Sequence, residues 1–404
     1  MKHILLITDS YPPEIRSASH LMLELAEELV KRQYKVTVVT CAAQYNLDTT
    51  EKNDGIEDRV ENNVRVIRLK HLAHHKVNFV LRGIAQLILP YLFIRKIKKL
   101  INTKIDVAIV YSPPLPLAYV GVWMQKRFQA KFILNIQDIF PQNAIDLGVL
   151  KNKLIIQCFY LIEKYIYKKA DMITVHSEGN KNLLISHYAD IKNKLIVLHN
   201  WVDIHAYQNN PNKNYRKLFG LDNKFVFVFA GVIGPSQYLE ILIQAANALK
   251  NISDLCFLIV GDGTEKLKLQ KMVSDLHLQN VIFKDFINRD DYPNLLKACD
   301  VGLVSLSPKN KTPVVPGKIL GYMAASLPVA SFLNKESDAH AIIQTAHCGY
   351  STVSDNLENV ISVISKLYSN KEQCKIMGES GWHYVKNNFS KENCVDVIEK
   401  LLLT

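Results

Sequence analysis

Short apolar runs alternate with longer amphipathic stretches from one end of the chain to the other. The first series lies at 4–7, 36–40, 64–68, 107–111, 131–135, 172–176 and 195–199. Strand-like runs separated by helical stretches predict a parallel sheet with helices on both faces. Leu21, Leu25 and Leu29 recur every four residues and predict a helix with one apolar face. The polar stretch Asn209-Asn210-Pro211-Asn212-Lys213-Asn214 reads as a linker, after which the alternation restarts at 225–230, 255–260, 281–283, 301–305 and 328–332. The pattern predicts two doubly wound α/β domains, 1–205 and 206–385, with a last helix over 386–404 that packs back on the first.

A length of 404 residues, 48% of them hydrophobic, suits two cores better than one, because single cores stop growing near ~250–300 residues. The seven cysteines are scattered and contain no Cys-x-x-Cys pair, which argues against a disulfide framework or zinc module and fits a reducing cytoplasm. The N-terminal apolar run 4–8 is too short for the core of a secretion signal, so none is expected. The net charge of +11 is compatible with nucleic acid, anionic lipid or a polyanionic small substrate. Nucleic acid is disfavoured because the basic residues are not interleaved with aromatic stacking positions. His71, His74 and His75 read as an exposed loop, since no carboxylate or cysteine ligand accompanies them.

Residues 79–94 are apolar apart from Arg82 and Gln86, and Arg95-Lys96-Ile97-Lys98-Lys99 follows. The run is short of the ~20 residues of a membrane span and contains Pro90. It predicts an interfacial helix over 79–99 with a cationic flank, the other reading being a core helix of the first domain. The segment 160–169, ending in Lys168-Lys169, gives a second, weaker hint of the same kind.

Ligands of open α/β sheets bind beyond the carboxyl ends of the strands, so the loops there carry the candidate chemistry. In the first half these loops hold Tyr11-Pro12-Pro13-Glu14-Ile15-Arg16-Ser17, Ser112-Pro113-Pro114 and Asp138-Ile139-Phe140-Pro141. In the second half Gly231, Gly234 and Gln237 follow one strand, and Gly261-Asp262-Gly263 follows the next. Glycine there lets backbone approach a ligand, although neither loop matches a dinucleotide or P-loop pattern. The segment 312–325 predicts a Pro-rich loop entering a helix with Lys318 in its first turn. A lysine opposes the usual acidic preference of that position, which makes sense if it holds an anion.

Those motifs, in that order, with Asn200-Trp201-Val202-Asp203 between the halves and Pro316-Gly317-Lys318 before Tyr322-Met323-Ala324-Ala325, resemble family 4 retaining glycosyltransferases. The resemblance covers essentially the whole chain. It is nearest to bacterial enzymes that add N-acetyl-L-fucosamine-type sugars to O-antigen or capsule. It implies the GT-B fold, two Rossmann-like domains facing across a cleft. The second would bind a UDP-sugar through Gly231, Gly234, Gln237, Glu240, Gly263, Pro316, Gly317, Lys318 and Gly321. The first would present a polyprenyl-diphosphate-linked acceptor through Pro13, Glu14, Arg16 and Ser17. Asp138, Glu14 and Lys318 would serve the chemistry. The resemblance further implies a peripheral protein on the inner face of the cytoplasmic membrane.

Two departures stand out. Gln237 occupies a place where many relatives carry lysine, and Pro313 and Gly321 occupy the places of a glutamate pair that supports the sugar and grips the ribose. Ribose recognition then falls to other groups, with Glu240 a candidate. Retaining transfer in this family positions reactants around an oxocarbenium-like state in which the leaving phosphate helps take the acceptor proton. No carboxylate pair of the glycosidase kind is needed. With no Asp-x-Asp motif and no cofactor implied, metal-independent activity is expected. Two other readings stay open: a non-catalytic sugar-nucleotide-binding partner in a polysaccharide assembly complex, and a GT-B sugar-nucleotide epimerase.

Overall fold

A computed structural model describes residues 1–14, 16–43, 58–71, 79–208 and 213–403. His74, His75 and the linker residues Asn209 to Asn212 lie outside them. The chain divides into two compact units, Met1–Asn200 with Cys394–Thr404, and Trp201–Asn393.

The first unit is built on β1 (His3–Ile7), β2 (Lys35–Cys41), β3 (Asp58–Glu61), β4 (Val64–Leu69), β5 (Val107–Ser112), β6 (Lys131–Ile136), β7 (Met172–Val175) and β8 (Leu195–Val197). They form one sheet in the order β3-β4-β2-β1-β5-β6-β7-β8. All ladders are parallel except that between β3 and β4. Its helices are α1 (Ser17–Lys31), α2 (Phe79–Leu100), α3 (Tyr119–Phe128), α4 (Gln142–Asp146), α5 (Lys153–Lys169) and α6 (Glu178–His187). Every residue of β1 is buried, as a central strand covered by helices on both faces requires.

The second unit carries β9 (Phe225–Ala230), β10 (Leu255–Val260), β11 (Val281–Lys284), β12 (Val301–Ser305), β13 (Val329–Leu333) and β14 (Gly349–Val353), an all-parallel sheet ordered β11-β10-β9-β12-β13-β14. Its helices are α7 (Tyr215–Phe219), α8 (Glu240–Ala248), α9 (Lys266–Asp275), α10 (Tyr292–Lys297), α11 (Lys318–Ala324), α12 (Ala339–Thr345), α13 (Leu357–Ser369) and α14 (Lys371–Asn388). The last helix, α15 (Lys391–Leu403), begins in this unit and ends in the other.

Both sheets contain an edge strand that the apolar pattern misses. β3 is Asp-Arg-Val-Glu, and Arg65 ties it to β4 through the Asp58 carboxylate at 2.7 Å. β14 is only half-buried along its length. Edge strands need not be apolar on both faces, so hydrophobicity alone does not mark them.

The unit boundaries fall at 200 and 394 rather than at the expected 205 and 386. The cause is a local backbone lock. Val202 N–H donates to the Phe389 carbonyl at 3.0 Å, Lys391 N–H donates to the Val202 carbonyl at 3.3 Å, and the Lys391 ammonium meets Asp203 at 2.7 Å. That lock ties the segment Trp201 to Asp203 to the residues just after α14, and α14 itself packs on α11, with Gly381 against Met323. The rest of α15 belongs to the first unit, where Arg32 pairs with Asp396 at 2.6 Å and Glu399 at 2.8 Å.

Candidate functional site

A doubly wound sheet diverges where its connections reverse direction, and loops there leave room for a ligand. In the first unit this point lies between β1 and β5, and in the second between β9 and β12. The predicted site residues occupy strand-end loops and the first turns of the helices that follow them, at or beside those two points.

In the first unit, Arg16 is flanked by two buried carboxylates, Asp9 at 3.3 Å and Glu14 at 3.5 Å. Burial opposes the arginine's charge, and Asp9 and Glu14 more than offset it, so the guanidinium is held above its usual range. Pro13 is buried beneath this loop, and the Arg68 guanidinium fixes it by donating to the Pro12 carbonyl at 2.6 Å. Ser17, the first residue of α1, is exposed.

Asp138 follows β6. Its neighbour Gln137 is held by Asn135 at 2.8 Å and by Asn200 at 2.7 Å, while Ile139 is buried. Asp138 keeps an exposed surface, yet the protein around it desolvates the carboxyl and raises it above the ordinary range, with Arg16 pulling the other way. Burial likewise raises the Tyr111 hydroxyl at the end of β5, with Asp138 and Asp9 adding to the effect. Asp9, Glu14, Arg16, Tyr111 and Asp138 therefore share one electrostatic neighbourhood. Sequence reasoning missed Asp9 and Tyr111. A carboxylate two residues past the apolar run 4–7 was the available signal for Asp9.

In the second unit, Lys318 opens α11, as its position after the Pro-rich loop predicts. Its ammonium donates to the Gln237 side-chain oxygen at 3.0 Å and lies 4.8 Å from the centre of the Phe229 ring. Among the described residues no carboxylate pairs with it. Desolvation, with nothing to offset it, pushes the ammonium down to about 8. The lysine stem passes over Gly231, where an added Cβ would fall 2.6 Å from Lys318 Cε and the backbone holds φ at +144°. Any side chain at 231 would therefore displace the ammonium. Gly261 has the same φ, and a Cβ there would stand 1.9 Å from the Gly231 carbonyl oxygen, so the two strand-end loops can meet only as glycines.

The remaining predicted residues sort around this pair of loops. Ile233 N–H donates to the Asp262 carbonyl at 2.8 Å, which sets Gly263 against the 231–234 turn. Gly234 accepts from Gln237 N–H at 2.9 Å and so orients the amide that Lys318 meets. Pro316 is buried and Gly317 exposed just before α11. The Pro-rich loop is anchored by Asn334, whose amide donates to the Thr312 carbonyl at 3.2 Å, and by Ser337, whose hydroxyl donates to the Val314 carbonyl at 2.5 Å. Glu240 is engaged with Lys268 at 2.6 Å. Gly321 faces two phenols that sequence reasoning did not flag: a Cβ would lie 3.1 Å from the Tyr207 oxygen and 3.6 Å from that of Tyr292.

Among the described residues no group of three or more His, Cys, Asp or Glu side chains is placed to hold a metal ion. His71 instead contacts the Ala42 carbonyl at 3.1 Å. No described helix is long and apolar enough to cross a membrane.

Residues 18–206 match the model of glycosyltransferase family 4, and residues 212–383 match that of group 1 glycosyl transferases. The chain is 25% identical over 281 residues to the probable glycosyltransferase WbjE of Pseudomonas aeruginosa, covering 68% of this chain and 69% of that protein. It is 25% identical over 214 residues to the N-acetylgalactosamine-N,N'-diacetylbacillosaminyl-diphospho-undecaprenol 4-alpha-N-acetylgalactosaminyltransferase of Campylobacter jejuni, covering 52% of this chain and 54% of that one. The chain spans about half the length of several curated relatives it matches. Among solved structures, Anabaena Alr3699/HepE in complex with UDP superposes over 100% of this chain and 99% of its own, with a TM-score of 0.74 at 17% identity.

Proposed function

The chain belongs to the glycosyltransferases of the GT-B type, and from that premise we propose that it transfers an N-acetylated aminosugar from a UDP-sugar to a polyprenyl-diphosphate-linked sugar. The observation that carries the donor half is Lys318. A desolvated ammonium without a carboxylate partner, beside two glycine loops at a strand-order reversal, is complementary to a diphosphate. Gly231, Gly234, Gln237 and Gly263 line the same loops and would approach the diphosphate through backbone. The bound UDP of the Anabaena neighbour supports the nucleotide, and the diphospho-undecaprenol acceptor in the Campylobacter relative's name supports the lipid carrier.

On this reading the first unit presents the acceptor. Glu14 and Arg16 would meet its hydroxyls, and Asp138 would stand near the anomeric carbon as positive charge develops there. Configuration is retained, the departing phosphate takes the acceptor proton, and Lys318 stabilises the charge left on UDP. A deoxy-aminosugar such as N-acetyl-L-fucosamine, destined for O-antigen or capsule, is the donor class proposed. The reaction would proceed on the cytoplasmic side of the membrane without a metal. EDTA should then leave the rate unchanged, and loss of turnover restored by Mg²⁺ would refute that part.

The test is a screen of UDP-N-acetyl-aminosugars against a lipid-diphosphate-GlcNAc acceptor, with released UDP and acceptor mass read together. A gain of one sugar that Lys318→Ala abolishes is expected. UDP binding with no product from any donor would favour the non-catalytic partner instead.

A further inference from the structure

Helix α2 is apolar on two sides. Ala85, Leu89, Phe93 and Ile97 face the core, and Ile84, Leu87, Ile88 and Tyr91 form a second stripe that is exposed, Tyr91 by 64%. The spacing of 0, 3, 4 and 7 residues puts that stripe on a single helix face. Helix α5 repeats the arrangement. Phe159, Glu163 and Ile166 point inward, while Leu154, Leu161 and Tyr165 are exposed along the opposite face, Leu154 by 77%. The turn before α5 adds exposed Leu147 and Val149.

The two helices are neighbours of the same third helix. Lys98 of α2 lies 5.6 Å from the Trp123 ring of α3, and Tyr119 of α3 stacks on Tyr165 of α5 at 5.7 Å. By sequence, α2, α3 and α5 together carry eleven lysines and arginines and one carboxylate, Glu163. That carboxylate is buried, and burial pushes it up to about 7, with Tyr188 and Tyr167 donating to it. The outer surface of the three helices is therefore apolar and cationic with no exposed acid. A core helix has no need of a second apolar stripe, and a surface meeting only water would dilute it with both signs of charge.

We propose that α2, α5 and the turn at 147–149 form one docking face for the surface of an anionic bilayer, with the two stripes entering the acyl boundary and the flanking lysines and arginines at the headgroups. Charge complementarity selects this occupant over a second copy of the chain, whose same face would bring cation against cation. The proposal rests on the reading of a lipid-borne acceptor and extends it: docking by this face holds the first unit at the membrane depth where a polyprenyl diphosphate presents its sugar.

The experiment is co-sedimentation of the full chain with vesicles of phosphatidylcholine alone and of phosphatidylcholine with phosphatidylglycerol, at low and high salt. Binding to the anionic vesicles that salt weakens is expected. Leu154→Ser with Leu161→Ser, and separately Leu87→Ser with Tyr91→Ser, should each weaken it by roughly tenfold or more, because each pair removes two large apolar groups from the acyl boundary. These positions are exposed, so melting temperatures should be unchanged. Absence of wild-type binding overturns the proposal, as does full binding by the α5 variant. Light scattering that shows a dimer lost in both variants would instead assign the face to a second copy. Transfer to a water-soluble, short-chain acceptor separates the two readings: it should be equal in wild type and variants, and its absence in wild type would count against the transferase while leaving vesicle binding to be judged by itself.

Discussion

The two strand-end clusters solve opposite electrostatic problems. In the first unit Arg16 is neutralised within the protein by Asp9 and Glu14. In the second, Lys318 faces an amide and an aromatic ring, and among the described residues no carboxylate balances it. A buried ion pair satisfied internally orders its loop and leaves little charge for a ligand. A desolvated cation left without a counter-ion is a site that gains most when an anion arrives. The difference accords with the proposed roles, neutral acceptor hydroxyls at the first unit and a diphosphate at the second.

The largest effect should come from removing the unbalanced charge. Lys318→Ala is expected to lower kcat/KM by roughly 100- to 1,000-fold, the scale of losing one donor to developing negative charge. Melting of the free protein should not fall, because the substitution removes a desolvated cation, whereas the upward shift of melting temperature caused by UDP should shrink. If UDP stabilises the variant as well as the wild type, the contrast between the clusters fails.

Arg16→Met probes the other side. Asp9 and Glu14 would be left buried without their cation, at a cost of about 2–3 kcal/mol given that Arg16 is partly exposed. Denaturant titration should show that loss at neutral pH and its recovery in acid, as the carboxylates take protons. Unchanged stability would mean that the pair is ornamental to the fold.

Glu163, a carboxylate that no cation pairs with among the described residues, sharpens the comparison from the opposite sign. Glu163 has its carboxyl raised by burial to about 7, against an ordinary 4.5. Its folded value lies above its unfolded one, so folding is favoured while it is protonated, and that advantage is lost as pH rises from about 4.5 through 7. Glu163→Gln should therefore be more stable than wild type by about 2–3 kcal/mol near pH 8, with little difference near pH 5. Parallel stability curves at the two pH values would refute the shift.

The smallest effect is on donor affinity. With its ammonium down to about 8, Lys318 loses charge just above neutrality, so UDP should bind more weakly as pH rises past that value, by up to about tenfold per unit. Calorimetric titration from pH 7 to pH 9 would show it in wild type and abolish it in Lys318→Ala.

Much of this was legible in the residues. The central strands of both sheets lie where the apolar runs place them, because a strand buried on both faces must be apolar at successive positions. Lys318 opens its helix because the Pro-rich loop cannot extend that helix backwards. The edge strands β3 and β14 were not legible, since half their surface faces water. Nor were the partners of the site residues. That Asp9 answers Arg16, that Glu240 is taken by Lys268, and that Tyr207 and Tyr292 crowd Gly321 are facts about segments far apart or unmarked in the chain.

By itself, then, the order of apolar runs and glycine loops determined two doubly wound units and the loops on which chemistry would lie. Hydrophobic periodicity and glycine's backbone freedom act locally and leave their mark residue by residue. Which charges are balanced was decided only by tertiary structure. An ammonium's field depends on what stands within a few ångströms, and in the second unit that distance is set by Gly231 and Gln237, some eighty residues before Lys318 in the chain.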